Sequence, residues 1–471
     1  MKKQIQKSVV PPPFGLKDKV GYMFGDIGNN MTFQLAGAFL MVFYTQVLAI
    51  QPELVGTLFL VSRFIDAFTD VGMGIIVDRT PPNKDGKFLP WIKRMAVPVI
   101  LAGFLMYQAS MAEASYNIRV LYMFFTYILW GSFAYTGINI PYGSMASAIT
   151  SVPEERTELS VWRTRGANLA VMIVGVITPF IIYATNDQGQ QVVRSGSSFT
   201  LAAAIFSIIG LISYYITYKF THERVDFTHN ETVEEKRSLG ELLGKLFRSR
   251  SLVAITVSSI FLLMTMLLMM SMYNYIFPYY YNSSTAISTI NFLNPIISII
   301  LVTPIASYLG QSIGKKEASV IGLIIGSVVN FILFFLRPDS VIVFMILTLF
   351  AYSGLNIFNA LVWAMITDVI DDQEVKSGNR DDGTVYAVNS FARKVGQAFA
   401  GGLGGYALAL AGFISGAETQ THEVLENIFN ITTLGPAIGF FITAISLLVL
   451  YPLSREKTLN NQYILSKDRQ I

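Results

Sequence analysis

The sequence predicts an all-α polytopic membrane protein. Of its 471 residues, 52% are apolar and only 14% are charged. Runs of about 20 apolar residues, each able to cross a hydrocarbon core roughly 30 Å thick, recur along the whole chain. Lysine and arginine are also shared very unequally between alternate loops. Twelve spans are expected, near 22–47, 55–77, 92–112, 119–150, 164–184, 198–219, 252–281, 287–308, 318–336, 340–370, 384–413 and 431–453. With no cysteine, disulfides and thiolate metal sites are excluded. His222, His229 and His422 are all expected in loops, which leaves carboxylates to carry any coupled proton. The start, MKKQIQKSVVPPPFGLKDK, is basic and proline-rich without an apolar core, so no cleavable signal is expected.

With both termini cytoplasmic, the inner segments hold 28 Lys and Arg, and the outer loops hold three: Arg119, Arg194 and Arg337. The positive-inside rule then sets the expected orientation in a cell membrane. The longest polar connection divides the chain into an N-terminal six-helix bundle (1–220), a middle loop (221–250), a C-terminal bundle (251–454) and a tail (455–471). Within the loop, SLGELLGKLFRSR has the pattern of a short amphipathic helix lying on the membrane surface. The loops GIIVDRTPPNKDGK and ASYLGQSIGKK, after helices 2 and 8, are both short, basic and glycine-containing, a faint sign of duplication.

Taken in order, the helices place polar residues where lipid would not tolerate them unpaired. Helix 1 contains Asp26, Asn29 and Asn30, with Asp26 and Asn30 on one face at i,i+4 spacing. They either contact a substrate or ion, or satisfy backbone groups in a packed helix. Helix 2 carries Asp66 and Asp70, again i,i+4, with Arg63 one turn earlier. A carboxylate near the bilayer centre costs about 2.5–3.5 kcal/mol, so the pair requires a cation, a shared proton or an internal partner such as Arg63. Asp78 and Arg79 follow in the loop, where a gating salt bridge and a solvated surface are both open. Helix 4 presents Tyr135, Thr136 and Asn139 ahead of Pro141 and Gly143, which loosen the backbone and free carbonyls for an alkali cation, or simply kink the helix. Arg163 and Arg165 are expected at the inner start of helix 5, as topology anchors or as ligands. Late in the chain come Asp368 and Asp371, then Ser390, Arg393 and Lys394, the last about ten residues into helix 11.

The blocks GYMFGDIGNN, FLVSRFIDAFTDVGMGIIVDRT, GKFLPW, YILWG, NIPYGSM, ERTELSVWR, WAMITDVID and SFARKVGQA occur in an order that spans nearly the whole chain. In this it resembles the glycoside–pentoside–hexuronide cation symporters, the family of melibiose permease within the major facilitator superfamily. The resemblance implies a major facilitator fold of 12 transmembrane helices in two six-helix bundles. By it, Asp66, Asp70 and Thr136 are cation-binding, as a metal site if the ion is Na⁺. Asn30 and Asn139 match aspartates that contact sugar, Asn29 matches a lysine, Lys394 matches a lysine of helix 11, and Ser390 matches a threonine beside the site. Asp26 and Tyr135 join the substrate-binding set from their position. Arg163 matches the sugar-binding arginine, with Arg165 possible under a one-residue shift. Gly143 stands where the melibiose carriers have a tryptophan, so galactoside specificity does not transfer.

The function expected is symport of a neutral glycoside or pentoside with Na⁺ or H⁺ by alternating access. No cofactor, nucleic-acid partner or enzyme activity is expected, and the carrier is expected to act as a monomer in the lipid bilayer. No G-x-x-x-x-G-K-[ST] motif occurs, in keeping with energy from an ion gradient. The rival readings are a hexuronide or lysolipid symporter and a membrane sugar sensor that does not transport. The short tail argues against the sensor.

Overall fold

A computed structural model describes residues 12–225, 249–377 and 382–468, side chains excepted at 153, 377, 382–384, 386–394 and 468. The helices are α1 (Leu16–Val42), α2 (Pro52–Arg79), α3 (Leu89–Leu105), α4 (Tyr116–Ile128), α5 (Thr136–Ile149), α6 (Pro153–Ile182) and α7 (Gly196–Phe220). They continue as α8 (Arg250–Tyr275), α9 (Thr285–Ile297), α10 (Thr303–Ser312), α11 (Lys315–Leu336), α12 (Val341–Ser377), α13 (Asp382–Leu410), α14 (His422–Leu450) and α15 (Arg455–Asp468). π-helical segments join α4 to α5 (Leu129–Tyr135) and α9 to α10 (Ser298–Val302), so each pair forms one long stretch. A small antiparallel hairpin, β1 (Tyr183–Thr185) and β2 (Gln191–Val193), links α6 to α7.

Among the described residues, nine helical stretches are long and apolar enough to cross a membrane. α1, α2 and α13 are not among the nine; α2 carries Arg63, Asp66 and Asp70 across its centre. Phe68, Phe335 and Leu410 are 79–81% exposed on helix surfaces, which lipid accommodates and water would penalise. The all-α polytopic expectation therefore holds.

Several boundaries differ from the expectation for local reasons. α6 begins at Pro153, with Glu154 and Glu155 in its first turn, so Arg163 and Arg165 lie well inside a helix rather than at its start. α14 begins at His422 because the Thr421 side chain accepts the Val424 N–H, which puts His422 in a helix and not in a loop. α5 continues through Pro141, and the irregular backbone of this stretch is the π-helical segment before it. The tail contains α15. The proposed surface helix around SLGELLGKLFRSR lies outside the described residues.

The described residues form two compact units. One takes the described residues within Met1–Ala36, Ile65–Val174 and Ser197–Thr232; the other takes those within Gly37–Phe64, Gly175–Gly196 and Val233–Ile471. In the first unit, Glu223, just beyond α7, accepts the backbone N–H groups of Lys87, Phe88 and Leu89 at 2.6, 2.8 and 2.6 Å. It thus caps the N-terminus of α3 from a distant part of the chain. Gly86 (φ +112°) makes room for it, because a Cβ there would lie 2.4 Å from the Glu223 carboxyl carbon. Burial pushes the Glu223 carboxyl above the ordinary glutamate range, outweighing the opposing effect of the three N–H groups. Asp18, at the start of α1, pairs with Arg224 through both carboxylate oxygens at 2.8 and 3.0 Å.

In the second unit, the ends of α1 and α8 are built alike. Each runs into a π-helical turn, Phe43–Val47 or Ile276–Tyr280. In each, an N–H five residues on closes the turn (Leu48 to Phe43, Tyr281 to Ile276), followed by one six residues on (Ile50 to Tyr44, Ser283 to Phe277). In each, one non-glycine residue adopts the left-handed conformation, Ala49 or Asn282, both at φ 49°. The Thr45 hydroxyl meets the Tyr275 hydroxyl at 3.1 Å, so the two matching ends touch. Nearby, α2 and α13 approach backbone to backbone through Gly56, Gly402 and Gly405.

Candidate cation and substrate site

The two helix 2 carboxylates lie in the first unit beside the π-helical segment and the start of α5. Ser132, 1% exposed, donates its hydroxyl to Asp66 Oδ1 at 2.6 Å. Thr136, 5% exposed, donates to Asp70 Oδ1 at 2.9 Å, with the Gly131 carbonyl oxygen also near at 3.3 Å. Because Asp66 and Asp70 are i,i+4 on α2, the contacts form two rungs about 6 Å apart along that helix. The carboxylates are half-buried, and each takes a charge-assisted hydrogen bond. Among the described residues, no group of three or more His, Cys, Asp or Glu is placed to hold a metal ion. Two carboxylates and two hydroxyls make an oxygen-only set suited to a hard cation rather than a transition metal.

A second polar cluster spans α1 and α6. Arg163 Nε donates to Asp26 Oδ1 at 3.0 Å, and Asn30 Nδ2 donates to Asp26 Oδ2 at 2.9 Å. Gln34, one turn further, donates to Asn30 Oδ1 at 3.1 Å. Tyr22 and Tyr142 stack beside them with ring centroids 4.8 Å apart, and the Arg163 guanidinium lies 5.3 Å from the Tyr142 centroid. The Asp26 side chain is only 6% exposed, whereas that of Arg163 is 41% exposed. Arg165 instead lies over Trp162, at 5.0 Å from its centroid.

The remaining predicted residues divide. Tyr135 is half-buried between Phe33 and Trp130, each 5.4 Å away between centroids. Asn139 is half-buried on α5, one turn beyond Thr136, and its side chain makes no hydrogen bond among the described residues. Asn29 turns away from the cluster: it is 1% exposed and accepts the Tyr214 hydroxyl at 2.9 Å. Asp78 and Arg79 are exposed, and their side chains form no ion pair among the described residues. Ser390, Arg393 and Lys394 lie on α13, but their side chains fall outside the described residues. Asp368 pairs with Lys315 at 2.6 Å in the second unit. Sequence reasoning missed Ser132, Gln34, Tyr22 and Tyr142. For Ser132 a signal existed: Ser132 and Thr136 repeat the spacing of Asp66 and Asp70.

A family profile described as MFS/sugar transport protein matches residues 21–455. The chain is 30% identical over 444 residues to a protein called an uncharacterized symporter, YjmB, of Bacillus subtilis, covering 94% of this chain and 93% of that one. It is 28% identical over 448 residues to the isoprimeverose transporter of Lactiplantibacillus pentosus (94% and 89% covered). To the glucuronide carrier protein homolog of Escherichia coli it is 28% identical over 439 residues (93% of each). Among solved structures, a bacterial homologue of the lysosomal transporter Spinster matches with TM-score 0.64 at 12% identity, covering 95% of this chain and 97% of that one. A D-xylose–proton symporter matches with TM-score 0.59 at 13% identity (92% and 97%). These likenesses show the fold, and the family match is independent of them. The chain belongs to the glycoside–pentoside–hexuronide family of the major facilitator superfamily, whose members are membrane transporters and not enzymes.

Proposed function

We propose that this protein is a cation-coupled symporter of a neutral glycoside or pentoside, with sodium as the favoured ion and both termini on the cytoplasmic side of the cell membrane. The observation that carries the reading is the two-rung set of Asp66–Ser132 and Asp70–Thr136. A proton needs a single carboxylate; two carboxylates flanked by two hydroxyls form a preorganised set of oxygens for a desolvated alkali cation. Cation binding relieves the repulsion between the aspartates and fixes Thr136. Asn139 lies one turn further along α5, so an ion at Thr136 and a sugar at Asn139 share one helix. Each must then tighten the other by the same factor. Asp26, Arg163, Asn30 and Gln34 supply donors and acceptors in both senses for sugar hydroxyls.

A neutral sugar is favoured because Asp26 balances the charge of Arg163. An acidic sugar is the second reading, since the Arg163 side chain is partly exposed and one relative is named as a glucuronide carrier homolog. Alternating access would carry the loaded site from one membrane face to the other.

The test uses proteoliposomes after a thermal-shift screen of sugars with and without NaCl has identified a substrate. Sodium-driven uptake is expected to concentrate the sugar, and Asp70→Asn is expected to abolish concentration while leaving measurable sugar binding. Intact concentrative uptake by Asp70→Asn would sink the cation assignment. Uptake driven equally well by a proton gradient without sodium would remove the sodium preference. Binding without counterflow would point to the sensor.

A further inference from the structure

On the symport reading above, we propose that Ser132 is an oxygen ligand of the coupling cation and sets its preference for sodium over lithium. Ser132 is almost wholly buried, and its hydroxyl hydrogen lies on Asp66 Oδ1. A serine oxygen keeps two lone pairs when it donates, so the same atom can hold the carboxylate and face a cation held by that carboxylate.

The ordinary alternative for a buried helical hydroxyl is to donate to its own helix, to the carbonyl three or four residues back. Thr126, Ser213 and Thr217, all buried, do this in the first unit. Ser132 does not: among the described residues its side-chain hydrogen bond crosses to α2. It stands in the π-helical segment, where the regular ladder of backbone bonds is interrupted. Such segments are uncommon, and they recur at functional sites because they re-aim side chains. Thr136, at the end of the same segment, divides its hydrogen between Asp70 and the Gly131 carbonyl, so it already has an internal acceptor to fall back on. The two rungs are therefore unequal, and Ser132 is the hydroxyl committed to its carboxylate.

Selectivity follows from ligand number. Sodium is the larger ion and favours five or six oxygens, whereas lithium is satisfied by about four, in keeping with cavity size and ligand count as the determinants of choice between hard cations. Removing one oxygen from the set weakens sodium more than lithium.

The test needs no sugar, only the salts. The purified full-length protein is titrated with NaCl and LiCl, with choline chloride holding ionic strength, and thermal stabilisation is read. Ser132→Ala is expected to raise the half-maximal sodium concentration about 10-fold, at the lower end of what loss of a metal-supporting group costs, and the lithium value by less than about 3-fold. Ser132→Thr, which restores the hydroxyl, should return both to within about 3-fold of the parent. Should Ser132→Ala not fold, Ser132→Cys keeps the shape with a poorer ligand and is expected to show the same loss for sodium. A sodium midpoint within twofold of the parent in the alanine or cysteine variant overturns the proposal. Asp70→Asn run in parallel separates the failures. If it loses the sodium response while Ser132→Ala keeps it, only the role of Ser132 falls. If Asp70→Asn keeps the sodium response, or the unmodified chain shows none, the cation site falls with it.

Discussion

Replacing Gly405 by alanine perturbs the closest approach between α2 and α13. A Cβ at Gly405 would lie 2.4 Å from the Pro52 carbonyl oxygen and 2.7 Å from both Cα and N of Gly56. All three are backbone atoms on a helix start, and ordinary Cβ contacts begin near 3.4 Å, so the two helices must separate by about 1 Å. Overpacking of this kind costs roughly 1–3 kcal/mol, which falls entirely on the arrangement in which the two backbones touch. An arrangement with these helix ends apart pays nothing, so the equilibrium between them should move by a factor of about 5–150. The chain has no cysteine, so a single Ser271→Cys reports cleanly. Ser271 lies on α8 against Gly404, where an added Cβ would meet its hydroxyl at 2.4 Å. Its maleimide labelling rate in purified protein should rise by that factor when Gly405→Ala is added, and Gly402→Ala should act in the same direction. Unchanged labelling with unchanged melting would refute the claim that contact between glycine backbones holds these helix ends together.

Two further outcomes follow from the first unit. Glu223→Gln offers a single oxygen to three N–H groups and should cost about 1–2 kcal/mol in thermal stability. Its pH dependence has a definite sign: a carboxyl raised by burial binds its proton more tightly when folded, so its contribution is greatest in acid and declines as pH rises from about 4.5. The melting gap between parent and Glu223→Gln should therefore narrow as pH rises through that window, and a widening gap would contradict the burial argument. Arg163→Lys keeps the charge beside Asp26 but loses the planar fork and its place over Tyr142. Since Arg163 is partly exposed, the ion pair itself counts for little, and a loss of about 10-fold in equilibrium sugar binding is expected from the fork. Binding within twofold of the parent would remove Arg163 from the substrate set.

How far the site can be read in advance depends on the distance between its parts in the chain. The pairs Asp66–Asp70 and Asp26–Asn30 are i,i+4 on single helices, and helical periodicity alone places each pair on one face. The choice between Arg163 and Arg165 is a different matter, because both sit on α6 and either could anchor to a membrane surface. Only the packing of α6 against α1 brings Arg163 to Asp26, whereas Arg165 lies over Trp162, three residues back on α6 itself. Asn29 shows the converse: its neighbours in sequence are site candidates, but its face of α1 meets Tyr214 of α7.

The sequence by itself determined that this chain crosses the membrane many times and where its charged residues interrupt apolar helices. Hydrophobic length and charge cost are local quantities, summed over one helix at a time. Tertiary structure decided which hydroxyl faces which carboxylate, that Glu223 caps a helix more than 130 residues away, and that α1 and α8 end in matching π-helical turns. These depend on a register between helices that no single segment encodes. Ser132 lies between the two cases: its spacing to Thr136 was visible, but that its hydroxyl leaves the π-helical segment for Asp66 on α2 is seen only in the tertiary structure.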